Sequence, residues 1–140
     1  MIVLDTNVIC ELMRPTPGPA VVAWLDQQPA TSIWTTSLCV FEVGYGLSLM
    51  KDGHRRQRLE LRFQEVLRDD LQGRVLDLDT SAAFAAADIA GKIQPQGISI
   101  DLRDLLIAGT VAARRGTLAT RNIKHFQHTG IGLVNPWTDR

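Results

Sequence analysis

Apolar and polar positions along this chain fall into two alternating kinds of block. Short, largely β-branched runs read as buried strands, and each is followed by a longer stretch whose apolar positions recur every three or four residues, as a helix requires. Ile2-Val3-Leu4 is the first run, ending abruptly in Asp5-Thr6-Asn7, where a helix over Val8 to Met13 begins and stops near Pro15 and Pro17. Pro19 opens a second helix, with Val21, Val22, Trp24 and Leu25 as its apolar face. Ile33-Trp34-Thr35-Thr36 is the second strand, and Ser37 has the chemistry to cap a helix from Leu38 to about Met50.

Leu59, Phe63, Val66 and Leu67 recur at helical spacing within a charged segment, so one stripe of that helix is buried. Val75-Leu76-Asp77-Leu78 is a third strand, Ser81 caps an Ala-rich helix reaching Ile93, and Pro95 to Ile100 is a loop. Leu105 to Ala113 is apolar nearly all round, which marks a buried helix ended by Gly116. Thr117-Leu118-Ala119-Thr120 is a fourth strand and Gly132-Leu133-Val134 a last edge strand. This alternation predicts one α/β domain over residues 1–140, with a mainly parallel central sheet of four to five strands and helices on both faces.

Charge and composition narrow the partners. With 15 basic and 15 acidic side chains in 140 residues the net charge is zero, so no global positive field draws the chain to nucleic acid or an anionic membrane. A polyanion must be held by a local patch or through bound metal. The opening residues lack a cationic signal-peptide region and no apolar run is long enough for a bilayer, so a cytoplasmic protein without membrane association is expected. Cys10 and Cys39 form no C-x-x-C pair, which argues against a disulfide framework or a thiolate zinc site.

Candidate chemistry gathers where strands end. Ligand sites of open parallel sheets form outside the carboxyl ends of the strands. Asp5 and Thr120-Arg121-Asn122 occupy such ends, Asp104 lies in the first turn of the helix feeding the fourth strand, and Glu42 lies about one turn into the helix after the second. Carboxylates at one rim raise one another's pKa and call for a cation between them. An all-oxygen set suits Mg²⁺ or Mn²⁺, and His54, His125 and His128 lack the spacing of a zinc protease.

Plainer roles stay open to the same residues. Asp5 and Asp101 can cap helices, Asp104 can serve a helix start, Asn122 a turn, and His125 and His128 the solvated surface. For Glu42, the apolar setting Val40-Phe41-Glu42-Val43 favours a polar site over a solvated face. The basic run Lys51, Arg55, Arg56, Arg58, Arg62 reads as a solvated helix entry or as a face for phosphates or an acidic partner. Arg103 and Arg121, beside the acids in sequence, are better placed for a scissile phosphate.

Four stretches now stand in order: Leu4-Asp5-Thr6-Asn7-Val8, Phe41-Glu42-Val43-Gly44-Tyr45-Gly46, Asp104-Leu105-Leu106-Ile107-Ala108, and Leu118-Ala119-Thr120-Arg121-Asn122 followed by Phe126. With the closing Val134-Asn135-Pro136-Trp137 they resemble a PIN-domain protein, and together they look like the VapC toxins of type II toxin–antitoxin pairs, in the FitB-like branch. The resemblance runs from Ile2 to Trp137. It implies a PIN-like fold and a Mg²⁺-dependent endoribonuclease, with Mn²⁺ as substitute, that cuts structured RNA such as tRNA or rRNA by metal-assisted phosphodiester hydrolysis. It also implies a homodimer, silenced by a cognate VapB-type antitoxin in a larger assembly.

Carried over residue by residue, Asp5, Glu42 and Asp104 are the metal ligands and catalytic acids, and Asn122 joins them as a catalytic residue. A polar companion role falls to Thr6 and Thr120, and with Arg103 and Arg121, placed by their position beside the acids, they make the expected substrate-binding set. The chain departs from the family where a fourth acid often stands, having Asn122 there and His125 three residues on. That departure leaves a non-catalytic PIN-like adaptor for RNA or protein as the alternative. A phosphatase with Asp5 as nucleophile is disfavoured, because Asn7 stands where its second aspartate is needed.

Overall fold

The computed structural model describes residues 1–139. Val3 and Leu4 of strand β1 (Ile2–Leu4) are both almost fully buried, so the strand is apolar on both faces, as a strand covered on both sides requires. It forms the centre of a five-stranded parallel sheet. On one side Ile2 and Val3 lie in register with Ile33 and Trp34 of β2 (Ile33–Thr36), which pairs onward with β3 (Val75–Leu76). On the other side Ile2, Val3 and Leu4 match Thr117, Leu118 and Ala119 of β4 (Thr117–Ala119), and β4 pairs with β5 (Gly132–Val134). The order β3-β2-β1-β4-β5 means that the chain builds outward from β1 and then crosses to the opposite side. That reversal falls between β1 and β4, and their carboxyl ends open a crevice there.

Helices flank the sheet: α1 (Thr6–Leu12), α2 (Pro19–Asp26), α3 (Ser37–Ser48), α4 (His54–Glu65), α5 (Thr80–Ile93), α6 (Leu102–Ala113) and α7 (Ile123–Phe126). Two expected caps fall slightly inside their helices. Thr36 caps α3, its hydroxyl accepting from the Cys39 N–H at 3.1 Å, while Ser37 accepts from the Leu78 N–H. Asp79, not Ser81, caps α5 by accepting from the Ala82 N–H at 2.9 Å. Diverted into this turn, Asp77 and Leu78 leave the ladder, and β3 ends at Leu76.

The amphipathic stripe of α4 continues through a π-helical turn, Val66–Asp70, that buries Val66. Helices α5 and α6 meet at Gly109, where a Cβ would lie 2.5 Å from the Cβ of Ala86 and 2.7 Å from the Ala82 carbonyl oxygen. Only glycine permits so close an approach. No helix among the described residues is long and apolar enough to cross a membrane.

Candidate metal centre

Asp5 is the first residue beyond β1 and the cap of α1, so its backbone belongs to the sheet and its side chain to the helix start. Its N–H donates to the Ala119 carbonyl at 2.9 Å, and its Oδ1 accepts from the Thr6 N–H at 2.9 Å. Three side chains hold the carboxylate as well. Thr120 donates to Oδ2 at 2.7 Å, Asn7 Nδ2 reaches the same oxygen at 3.3 Å, and the Cys39 thiol donates to Oδ1 at 3.8 Å. Asp5 is 5% exposed. Burial pushes its carboxyl up from the ordinary value, against the pull of the hydrogen bonds from Thr120, Thr6, Cys39 and Asn7.

Glu42, in the second turn of α3, comes to the same place from another strand end. Its Oε1 accepts from the Thr6 hydroxyl at 3.1 Å, and ligand atoms of Asp5, Cys39 and Glu42 lie within 4.8 Å of one another. Asp104, from the first turn of α6, faces the same cavity of about 630 Å³. Burial pushes the Glu42 carboxyl up, and so does the charge of Asp5, while the Thr6 hydroxyl pulls it down. Asp104 is likewise raised by burial and then by Asp5, with His125 acting in the opposite direction from 3.4 Å.

Each remaining candidate has a definite place. Thr6, Arg121 and Asn122 line the cavity with the three acids. Thr120, expected among the substrate-binding residues, is fully buried; its hydroxyl serves Asp5, Asn7 and the Asn122 N–H, which makes it a support for the acid and not a substrate contact. Arg103 is exposed, lies outside the cavity lining and faces Asp101 at 3.7 Å, although its charge still reaches Glu42. Two members of the basic run are tied to acids: Arg56 bonds Asp52 and Glu60, and Arg62 bonds Glu65 and Asp70.

Several contributors had no site role assigned from the sequence. Asn7 joins the three parts of the crevice, since Nδ2 donates to Asp5 and to Thr120 and Oδ1 accepts from the Arg121 N–H at 3.1 Å. It stands inside the first motif, which is the one hint available. His125 is exposed, yet it faces Asp104. Glu11 brings a fourth acid to the wall, but Arg14 binds both its oxygens at 3.0 Å, so its charge is already neutralised.

The donor set fits a hard divalent cation. Asp5, Glu42 and Asp104 reach the crevice from three distant segments, and burial together with Asp5's charge leaves the cluster short of positive charge. Cys39 does not make it a soft site. Burial, and then the charge of Asp5, pushes its fully buried thiol up to about 12, and its S–H is engaged in donating to Asp5 Oδ1.

A parallel sheet in the order β3-β2-β1-β4-β5 with three carboxylates at its switch point defines a PIN domain: residues 2–131 match the PIN domain family model, and the chain belongs to that family. Within it the chain is similar to VapC ribonuclease Y4jK of Sinorhizobium fredii, 37% identical over 137 residues that cover 98% of each chain. It is also similar to toxin FitB of Neisseria gonorrhoeae, 34% identical over 99% of this chain and 100% of that one. The solved structure of FitAB bound to the IR36 DNA fragment superposes with a TM-score of 0.90 at 33% identity, covering 100% of this chain and 98% of its counterpart.

Proposed function

We propose that this chain is a Mg²⁺-dependent endoribonuclease toxin, with Mn²⁺ as a working substitute, that cuts structured RNA of the tRNA or rRNA class. The observation that carries the reading is the convergence of Asp5, Glu42 and Asp104, all with raised carboxyls, on one open crevice. These three residues would hold the ion. Bound there, a divalent cation supplies an acidified water and offsets charge on the phosphate oxygens.

The chain's own residues do the rest. Thr120, Thr6 and Asn7 fix the Asp5 carboxylate, and the Thr6 hydroxyl also steadies Glu42, so the acids are arranged before substrate arrives. Arg121 brings a guanidinium to the mouth for a phosphate, and Asn122 offers an amide oxygen to accept from the attacking water. Products carry 5′-phosphate and 3′-hydroxyl ends. No serine, cysteine or histidine nucleophile is needed.

The relative FitB is named a toxin and has been solved within FitAB on DNA, which supports a partner chain for this protein too. We assign that partner as a cognate VapB-type antitoxin, and an acidic crevice short of positive charge suits an inserted arginine or lysine from it. We assign a second copy of the chain to the strip where Phe41 and Tyr45 on α3 and Leu49 just beyond its end are exposed, the two rings stacked at 5.9 Å. The cytoplasm is the compartment that holds such an RNA substrate.

Mapping of 5′-phosphate RNA ends across the transcriptome after induction in a bacterial host tests the reading. New ends concentrated at a few sites in tRNA or rRNA are expected. An end profile identical to that of the uninduced host overturns it.

A further inference from the structure

Arg121 follows β4 and is anchored by its backbone, whose N–H donates to Asn7 Oδ1 at 3.1 Å. Its guanidinium carbon lies 4.0 Å from the ring centroid of Trp137. Trp137 follows β5 in a turn closed by Asn135, whose Oδ1 accepts from the Trp137 N–H at 2.9 Å and whose own N–H donates to Asp139 at 2.7 Å. Both residues line the crevice with Asp5, Glu42 and Asp104.

Two features of this pair call for a reason. Among the described residues no carboxylate or carbonyl accepts from the Arg121 guanidinium, although four acids share its cavity and only Glu11 is already paired with an arginine, Arg14; Arg55, Arg58 and Arg115 have no such acceptor either, but they do not line the cavity. An arginine free to swing would pair with the acids and fill the place of a cation. Among the described residues the indole Nε1 is also buried without an acceptor, a cost that leucine or phenylalanine at the same position would avoid. What the indole offers in return is its ring face, the strongest aromatic partner for a guanidinium. A cation–π contact holds the charge without consuming N–H donors, so they stay available to an anion.

Resting on the ribonuclease reading above, we propose that Trp137 is a positioning residue: it holds Arg121 away from the carboxylates and presents its guanidinium to a phosphate of the bound RNA strand. The Arg121–Trp137 pair thereby keeps the cation place open and fixes where the backbone enters. Trp137 itself touches no phosphate, and its effect runs through Arg121.

The test uses full-length protein carrying Trp137→Leu, Trp137→Phe, Arg121→Ala, Arg121→Lys or the Arg121→Ala/Trp137→Leu pair, each checked by its melting curve. Binding of a fluorescein-labelled single-stranded RNA of mixed sequence is titrated across salt concentrations in an Asp104→Asn background with Mn²⁺. Cleavage is timed in the otherwise unaltered protein. Loss of one phosphate contact flattens the slope of log K against log salt by about 0.7 for a single strand, the result expected for Arg121→Ala.

Trp137→Leu is expected to flatten it in the same direction and to weaken binding about 2- to 5-fold. Trp137→Phe restores most of the affinity, the double variant binds no more weakly than Arg121→Ala, and KM rises while kcat holds. Arg121→Lys, which leaves the indole in place, weakens binding even if Trp137→Leu fails to fold. An unchanged salt slope in Trp137→Leu, or additive losses in the double variant, overturns the proposal in favour of plain packing or direct base contact. Those outcomes with a wild-type protein that still cuts RNA reject this inference alone; a wild-type protein that neither binds nor cuts RNA rejects the ribonuclease reading with it.

Discussion

The Thr120 hydroxyl donates to Asp5 Oδ2 at 2.7 Å while accepting from Asn7 Nδ2 and from the Asn122 N–H, so its one donor and two acceptor positions are all used. This contact joins the carboxyl ends of β4 and β1. Thr120→Val keeps the volume and leaves Asp5 short of its shortest hydrogen bond and two donors without an acceptor. A stability loss of about 1–3 kcal/mol is expected in urea unfolding, with slower RNA cleavage. Thr120→Ser, which keeps the hydroxyl, retains most of both.

Gly109→Ala forces a methyl group against the backbone of α5, 2.6 Å from the Ala86 nitrogen. The neighbour is main chain and cannot step aside, so the loss falls near the upper end of the overpacking range, about 3 kcal/mol. Urea unfolding measures it. Cleavage per folded molecule stays at the wild-type rate, since the contact lies away from the crevice lining.

Metal and pH act on the same three groups. The carboxyls of Asp5, Glu42 and Asp104 are raised from ordinary values of 3.8, 4.5 and 3.8. A raised folded value means that the folded state holds protons more tightly than the unfolded chain. Its contribution to stability is therefore complete below the ordinary values and is lost as pH rises through the raised ones. In EDTA the melting temperature should climb as pH falls from neutral through the raised values of these carboxyls. Saturating Mg²⁺ or Mn²⁺ should raise it at neutral pH by mass action, and the gain should shrink on acidification as protons compete. Melting curves that ignore both metal and pH would remove the cation from the account.

The convergence of Asp5, Glu42 and Asp104 was legible because a parallel sheet sends strand ends and the following helix starts to one edge, and each acid stands at such a position. The contacts among them were not, because spacing carries no information about partners 113 residues apart, as Asn7 and Thr120 are. Both cysteines are unpaired, as the missing C-x-x-C spacing implies, yet the donation from Cys39 to Asp5 depends on how α3 is rotated. That rotation also exposes Phe41 at 56%, so the face around Glu42 is not the uniformly apolar one its neighbours suggest. Caps at Thr36 and Asp79 escaped because Ser37 and Ser81, close by, have the same chemistry. The four-residue helix α7 is too short for any periodicity.

Asn122, the residue before α7, lines the cavity beside the three acids and brings an amide where a further carboxylate could stand. Asn122→Asp adds an anionic oxygen with little change in volume. Calorimetric titration is expected to show tighter Mn²⁺ binding. Unchanged affinity and stoichiometry would place Asn122 outside the coordination sphere.

The most direct test of the central claim is cleavage of end-labelled tRNA or rRNA by purified protein, comparing wild type with Asp5→Asn and Asp104→Asn in Mg²⁺, Mn²⁺ and EDTA. The account predicts discrete cuts leaving 5′-phosphate ends with either ion, none in EDTA, and none from variants whose circular dichroism matches the wild type. Cutting at the wild-type rate by a folded Asp5→Asn or Asp104→Asn protein, or equal cutting in EDTA, would contradict it.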